Sequence, residues 1–163
     1  MKYVFFIAST LFLSSCNNPA GNAGQALQST VDGLQKEVKN SYRPGLGEFM
    51  LGIQTHHAKL WFAGINKNWK LANFELGEIK ETIEDIKQYN SDRSEVKSIP
   101  MIEPVLDSLD QSIQNKQPES FKNNFELLTK TCNNCHLATE HEFNVITIPT
   151  APPVTNQDFS AKK

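Results

Sequence analysis

Side chains in the last third of the chain recur at intervals of four, three, four, three and four residues. The series is Phe121, Phe125, Leu128, Cys132, Cys135 and Thr139. An α-helix, with about 3.6 residues per turn, places such a series on one face, whereas a β-strand scatters it over both faces. We therefore predict a helix from Pro118 to about Phe143, whose buried face carries both cysteines.

Three earlier segments show the same helical period. They are residues 46–65, 69–89 and 103–115, the first carrying Leu46, Met50, Ile53, His57, Leu60 and Gly64 on one face. A polar loop that ends at Pro100 precedes the third segment, and no segment has a strand pattern. Because the connections are short or moderate, the sequence predicts an all-α chain with an antiparallel up-and-down four-helix bundle over residues 44–143.

The residues after the predicted bundle, 144–163, include three prolines. Proline cannot continue a helix, so we predict an extended tail. Its apolar residues Val145, Ile146 and Ile148 are candidates for packing back on the bundle.

The N-terminus has the pattern of an export signal. Lys2 is followed by an apolar run over Tyr3–Leu13, too short for a membrane-spanning helix, and then by two serines and Cys16. This end resembles a bacterial lipoprotein signal, in which a cysteine after small residues is acylated and becomes the mature N-terminus. The resemblance implies a signal peptide over residues 1–15, a lipid on Cys16, and anchoring to the periplasmic side of a bacterial membrane or to the outer membrane. The alternative is an ordinary signal peptide followed by an unmodified cysteine.

Residues 16–43 are predicted to connect the lipid to the bundle. The small polar residues 17–24 predict a flexible stretch. A short amphipathic helix is then predicted from a stripe at intervals of four, three and four: Leu27, Val31, Leu34 and Val38. The stripe suits a single spacer helix, and it also suits two heptads of a parallel homodimer.

The segment Cys132-Asn-Asn-Cys135-His136 has the spacing of a c-type haem attachment site. On a helix the two thiols lie one turn apart on one face, so they can reach two vinyl groups on one porphyrin edge. The histidine that follows can then bind the iron. The chain has three cysteines, so these two remain as a pair once Cys16 carries lipid. We predict one covalent haem c on Cys132 and Cys135, with His136 as the proximal iron ligand.

The cysteine pair has three other interpretations. A thioredoxin-like redox pair needs a βαβ context, which the sequence lacks. A disulfide within one helical turn closes a very small loop and stabilises little. A zinc site stays open as an alternative, and it would use both cysteines, His141 and either His56 or His57. Such a site leaves His136 without a role.

An exported helical domain with one C-x-x-C-H motif in its last helix resembles the class II c-type cytochromes, the four-helix family of cytochrome c-prime. The resemblance covers about Tyr42 to Phe143. It implies a haem in the bundle interior and a distal residue near the start of the first helix. That residue is a ligating methionine in electron-transfer members and a non-ligating apolar residue in gas-binding members. Met50 stands at this place as the candidate sixth ligand, and His57 on the same face is the alternative.

The family resemblance implies a membrane-anchored monohaem cytochrome. It would carry single electrons between periplasmic or membrane redox partners, after haem attachment by the cytochrome c maturation machinery. We expect an apolar haem pocket lined by Phe121, Phe125, Leu128, Ile53 and Leu60. This chain departs from the family just after His136, where Thr139 and Glu140 replace the aromatic and basic residues often found there.

Two other functions remain alternatives to electron transfer. One is a five-coordinate haem protein that binds nitric oxide or carbon monoxide, and the other is a haem-free lipoprotein that binds zinc or is structural. A formal charge of −2 and the lack of a phosphate-binding glycine motif give no indication of nucleic-acid binding. No nucleophile–base pair accompanies the cysteines, so no enzyme is predicted.

Overall fold

The computed structural model describes residues 19–41 and 44–161, with the side chains of residues 23–38 and 44–161. These residues form five α-helices and one 3-10 helix, with no strand, so the all-α prediction is confirmed for them. The helices are α1 (Pro19–Ser41), α2 (Leu46–Ile65), α3 (Trp69–Tyr89), the 3-10 helix (Ser94–Met101), α4 (Glu103–Gln114) and α5 (Pro118–Ala138). The chain divides into two units, Met1–Tyr42 and Arg43–Lys163.

In the first unit, α1 begins earlier than the amphipathic stripe suggests. The predicted signal peptide over residues 1–15 and the predicted lipid-bearing Cys16 lie outside the described residues. The helix starts at Pro19, within the stretch predicted to be flexible. Proline suits a first helical turn, and the alanines and glutamines that follow favour helix. Among the described residues, no helix combines the length and the hydropathy needed to cross a bilayer.

In the second unit, α2 and α3 have the predicted bounds, and α4 ends one residue before the predicted end. Asn68 caps α3, because its side-chain oxygen accepts a hydrogen bond from the N–H of Leu71 at 3.3 Å. Pro104 and Pro118 occupy the first turns of α4 and α5, where no intrahelical N–H is required. The apolar faces of these helices form one core.

Side-chain contacts show that α2 and α5 run antiparallel. Toward the end of α2, a Cβ on Gly64 would lie 2.0 Å from the Phe121 ring, and Trp61 packs on Phe125 with ring centroids 4.9 Å apart. Earlier in α2, His57 contacts Thr129, which is later in α5. The residue numbers rise along one helix as they fall along the other.

The α3 and α4 helices are antiparallel by the same criterion. Gln114 bonds to Asn73, whereas Glu103, at the other end of α4, pairs with Lys87. Helix α2 contacts α3 and α5, and α4 also contacts α3 and α5. Each of these four helices therefore packs on two of the others.

Three of the helices end in the same hydrogen-bonding pattern. A main-chain N–H after each helix donates to the carbonyl five residues earlier: Asn68 to Ala63, Gln117 to Ser112 and His141 to His136, at 2.9, 2.9 and 2.7 Å. The residue before each donor has a positive φ: Lys67 at 58°, Lys116 at 53° and Glu140 at 60°. This is the Schellman arrangement, usually made with glycine.

The end of α5 is a correction to the sequence-based bounds. We predicted a helix to about Phe143, but α5 ends at Ala138. The Schellman turn through Glu140 stops the helix and reverses the chain. The left-handed residue is a glutamate, so the sequence carries no glycine signal at this point.

Lys116→Gly is expected to stabilise the second unit by about 0.5–1 kcal/mol. A left-handed conformation costs an L-residue roughly 1–2 kcal/mol, and glycine avoids this cost while losing part of it in unfolded-state entropy. Urea denaturation followed by circular dichroism measures the change. Lys130→Gly, at an exposed position inside α5, is the matched control and should destabilise by about 1 kcal/mol. A loss of stability in Lys116→Gly would contradict the argument.

The loop between α3 and α4 is more regular than the sequence suggests. We predicted that Pro100 would stop any helix before it, but Pro100 lies inside the 3-10 helix. Pro100 is the seventh of the eight residues, so its missing N–H removes one hydrogen bond near the end of the 3-10 helix. Ile99 and Ile102 are buried against the core.

The C-terminal tail follows the surface of the second unit from one end to the other. Ile148 packs against the core, as anticipated, but Val145 is exposed. At the far end, the ring of Phe159 is buried and packs on Phe62, with centroids 5.8 Å apart. The amide of Asn68, in the α2–α3 turn, donates to the Ser160 carbonyl at 2.9 Å.

Candidate functional site

The residues singled out from the sequence meet at one cavity in the second unit. Its volume is about 650 Å³, within the usual range of about 300–1,000 Å³ for ligand pockets. Cys132, Cys135 and His136 line it from α5, and Met50 and His57 line it from α2. Residues of α2 and α5 that are 75 or more positions apart in sequence therefore face a common space.

His136 is held in a defined orientation on the cavity wall. Its Nδ1 lies 2.5 Å from the carbonyl oxygen of Asn144. A carbonyl only accepts, so Nδ1 donates its N–H, and in the neutral ring Nε2 then carries the lone pair. This is the hydrogen bond that metal-ligating histidines usually make through the nitrogen not bound to metal. The arrangement fits His136 as an iron ligand through Nε2.

Both cysteines of the motif are free thiols on the cavity wall. Burial, together with the neighbouring Cys135, raises the pKa of Cys132 to about 12, and burial also raises the pKa of Cys135. Both groups are therefore protonated near neutral pH. Zinc binds the thiolate, so a zinc site here would first have to remove these protons.

The register between α2 and α5 places Met50 and His136 at the same level. His57 contacts Thr129, and from there seven residues along each helix lead to Met50 and to His136. Because the helices are antiparallel, both steps of seven residues lead about 10 Å in the same direction along the helix axes. Met50 is half-buried and packs against the core. Met50 therefore lines the cavity at the level of His136.

One ring nitrogen of His57 is engaged in a hydrogen bond with Thr129. The Thr129 hydroxyl donates to the Phe125 carbonyl at 3.0 Å, so its oxygen accepts the hydrogen bond from His57 Nε2, 2.9 Å away. Burial lowers the pKa of His57 to about 4, which keeps the ring neutral. Only Nδ1 is then left for a metal. His57 stands opposite Thr129, about 10 Å along the helices from the level of His136, and this distance favours Met50 over His57 as a sixth ligand.

The cavity walls differ from the predicted pocket. Ile53 lines the cavity, but Phe121, Phe125, Leu128 and Leu60 lie in the core outside it. Further apolar walls come from α3, the 3-10 helix and the tail. These wall residues include Ile83, Val96, Ile99, Ile102 and Ile146. Sequence analysis missed them, because their stripes mark buried positions but do not show which helices surround a cavity.

The cavity also has a charged edge that was not anticipated. Arg93 and Glu95 line it, and their side chains form an ion pair at 2.6 Å. The hydrogen bond from Arg93 lowers the pKa of Glu95 to about 2. The guanidinium is about half exposed, so it remains accessible to an anionic ligand group.

Of the alternative zinc ligands, His141 and His57 line the cavity with both cysteines. His56 turns to α3, where its Nδ1 lies 2.7 Å from an oxygen of the buried Glu75. Over residues 19–41 and 44–161, no group of three or more His, Cys, Asp or Glu side chains is arranged to hold a metal ion. A haem iron takes one or two protein ligands, so it does not need such a group.

No protein-family model, curated protein or solved structure matches this chain. The resemblance to class II cytochromes therefore rests on the motif and the helix pattern.

Proposed function

We propose that this protein is a membrane-anchored monohaem c-type cytochrome that transfers single electrons. The observation that carries the proposal is the meeting of both motif cysteines and His136 with Met50 around one cavity. Helical spacing alone brings the cysteines and His136 together, but only folding brings Met50 of α2 to the same cavity. A six-coordinate haem c needs this combination of two thiols and two axial ligands.

We further propose that α2 to α5 form an antiparallel up-and-down four-helix bundle around this site. The support is that each helix contacts two of the other three and that the α2–α5 and α3–α4 pairs run antiparallel. Bundles of this kind build their cofactor sites from side chains on facing helices.

The residues present fit a covalently attached haem. Each of Cys132 and Cys135 would add its S–H across a vinyl group, with sulfur bonding to one carbon and hydrogen to the other. His136 would bind the iron through Nε2, while Nδ1 stays bonded to Asn144. Met50 is the proposed sixth ligand, and Arg93 offers positive charge to the propionate groups.

When bound, haem supplies an iron that cycles between the ferric and ferrous states. The apolar walls exclude water and disfavour the additional positive charge of the ferric form. A thioether ligand also favours ferrous iron, so both effects raise the reduction potential. We propose no catalytic role for the site.

The test is to produce the full chain in a host with the cytochrome c maturation machinery and to determine the mass of the purified protein. We expect the mass of the mature polypeptide plus one haem, with a c-type pyridine haemochrome spectrum. A mature, exported protein of polypeptide mass alone, or one that contains zinc in place of iron, would overturn the proposal.

Met50→Ala is expected to remove the ferric absorption band of iron–thioether coordination and to lower the reduction potential. Loss of the thioether removes a ligand that favours ferrous iron. Optical spectroscopy and redox titration of the holoprotein measure both effects. Met101→Ala, at an exposed methionine of the 3-10 helix, is the matched control and should leave both unchanged. An unaltered spectrum in Met50→Ala would exclude Met50 as a ligand.

A five-coordinate haem protein that binds nitric oxide or carbon monoxide is the second candidate function. The observation that favours it is that Thr129 holds His57 about 10 Å along the helices from the level of His136, so of the predicted distal ligands only Met50 stands at that level. If Met50 does not bind iron, the distal position stays open. A high-spin ferrous spectrum that shifts with carbon monoxide in the unmodified protein would support this function over electron transfer.

Anchoring and partners are part of the same proposal. We propose that acylated Cys16 anchors the protein to a bacterial membrane, on the periplasmic side or at the outer membrane, and that its redox partners lie in the periplasm or the membrane. Incorporation of labelled fatty acid into the wild type but not into Cys16→Ala tests the anchor. Labelling that persists in Cys16→Ala would contradict it.

A further inference from the structure

A segment of the tail crosses the haem-attachment motif at two points. The first point is the Asn144 carbonyl, which accepts the hydrogen bond from Nδ1 of His136. The second is Ile146, whose N–H donates to Asn133 Oδ1 and whose carbonyl accepts from Asn133 Nδ2, both at 2.8 Å. Asn133 therefore pairs with the main chain of the tail much as a neighbouring strand would.

The positions of these contacts follow from local geometry. Asn133 and His136 are three residues apart on α5 and so share a face. In an extended chain, residues two apart present their main-chain groups on the same edge. Residues 144 and 146 can therefore meet His136 and Asn133 together. The Schellman turn after α5 and a further hydrogen bond, from Asn144 N–H to the His141 carbonyl at 2.9 Å, bring the tail back to this face.

We propose that Asn133 is a positioning residue for the iron ligand, an inference that rests on the proposed function. Its two hydrogen bonds hold the tail so that the Asn144 carbonyl stays on His136 Nδ1. That carbonyl fixes the tautomer that leaves Nε2 for iron and increases the electron donation of the imidazole. One of the two variable residues of the C-x-x-C-H motif thus acts on the iron through the tail.

Neighbouring features agree with this role. Asn133 is half-buried, whereas Asn134, the other variable residue, is exposed and makes no side-chain hydrogen bond to any described residue. Asn144 and Ile146 both line the cavity, so displacement of the tail would open the His136 side of the site. The tail is also held elsewhere by Ile148 and Phe159. Loss of the Asn133 contacts should therefore release the tail locally and leave the fold intact.

The experiment compares Asn133→Ala with Asn134→Ala in the full chain, each with and without haem. Loss of two hydrogen bonds of ordinary net strength shifts an opening equilibrium by roughly 10- to 100-fold. In Asn133→Ala we expect hydrogen exchange of the Ile146 amide to accelerate by about that factor, in the haem-free and the haem-bound protein. We also expect the reduction potential of the holoprotein to rise, because the imidazole donates less strongly to ferric iron. Asn134→Ala should match the wild type in both measurements.

The outcomes separate this inference from the proposed function. If the wild type carries no haem, the cytochrome proposal fails, and the potential-setting role of Asn133 fails with it, whatever the amide exchange shows. If haem is present but Asn133→Ala and Asn134→Ala have the same potential, the positioning role is wrong. Faster exchange at Ile146 without a change in potential would also overturn it, because the tail would then not act on the iron ligand.

Discussion

Replacing Cys132 and Cys135 together by alanine is expected to abolish covalently bound haem. The purified double variant should have the mass of the mature polypeptide alone and should lose its haem absorption on acid–acetone extraction. Each single variant keeps one thiol and should retain at most one thioether bond. Mass spectrometry and pyridine haemochrome spectra of proteins made with the maturation machinery measure these differences.

The physical reason is that both thiols lie on the cavity wall one helical turn apart, free and protonated. Burial holds the pKa of Cys132 at about 12, so it is not a reactive thiolate that would easily form other bonds. A thioether leaves each sulfur uncharged, which suits a partly apolar site. Without the sulfurs, haem is held only by axial ligation and apolar contacts, which are reversible.

Two controls separate haem loss from misfolding. Far-ultraviolet circular dichroism of the double variant should show the wild-type helix content, since alanine favours helix at both positions. Thr131→Ala changes a buried residue beside the motif that does not line the cavity, and it should keep the full haem content. Equal masses for the wild type and the double variant would show that the cysteines do not carry haem.

Gly64→Ala is expected to destabilise the second unit by about 3 kcal/mol, the upper part of the range for overpacked cores. The added Cβ would lie 2.0 Å from Cζ of Phe121, far inside van der Waals contact. Phe121 is fully buried and packs on Trp61 and Trp69, so its ring has no free space into which to move. Urea denaturation should show the loss, together with a fall of roughly 10 °C in Tm.

The same substitution elsewhere has the opposite expected sign. A Cβ on Gly77, within α3, meets no atom within 4 Å. Gly77→Ala should therefore stabilise by about 0.5–1 kcal/mol, because alanine loses less conformational entropy than glycine in a helix. If Gly64→Ala were as stable as Gly77→Ala, the close approach of α2 and α5 at Phe121 would be wrong.

Local sequence patterns were sufficient to predict the bounds of several helices. The bounds of α2 and α3 and the start of α4 follow from apolar spacing, proline positions and the turn through Asn68. These signals act over a few residues, because a helix satisfies its hydrogen bonds within itself. The proximity of both cysteines and His136 is local for the same reason.

Features that depend on contacts between distant segments were not available from the sequence. The predicted end of α5 was wrong, because Glu140 adopts a left-handed conformation without being glycine. The prediction that Pro100 stops any helix before it was also wrong, because Pro100 lies inside a 3-10 helix. The apolar pocket residues expected from α5 proved to be core, and α3, the 3-10 helix and the tail supplied walls that the sequence had not indicated.

The sequence by itself determined that the chain is helical, where most of its helices lie and that two cysteines and a histidine share one helical turn. Only the tertiary structure decided that Met50 stands level with His136, that His57 is engaged by Thr129, and that the tail returns to Asn133 and His136. Periodicity shows which face of a helix is buried. The neighbour of that face is decided by how side chains from separate segments fill space together.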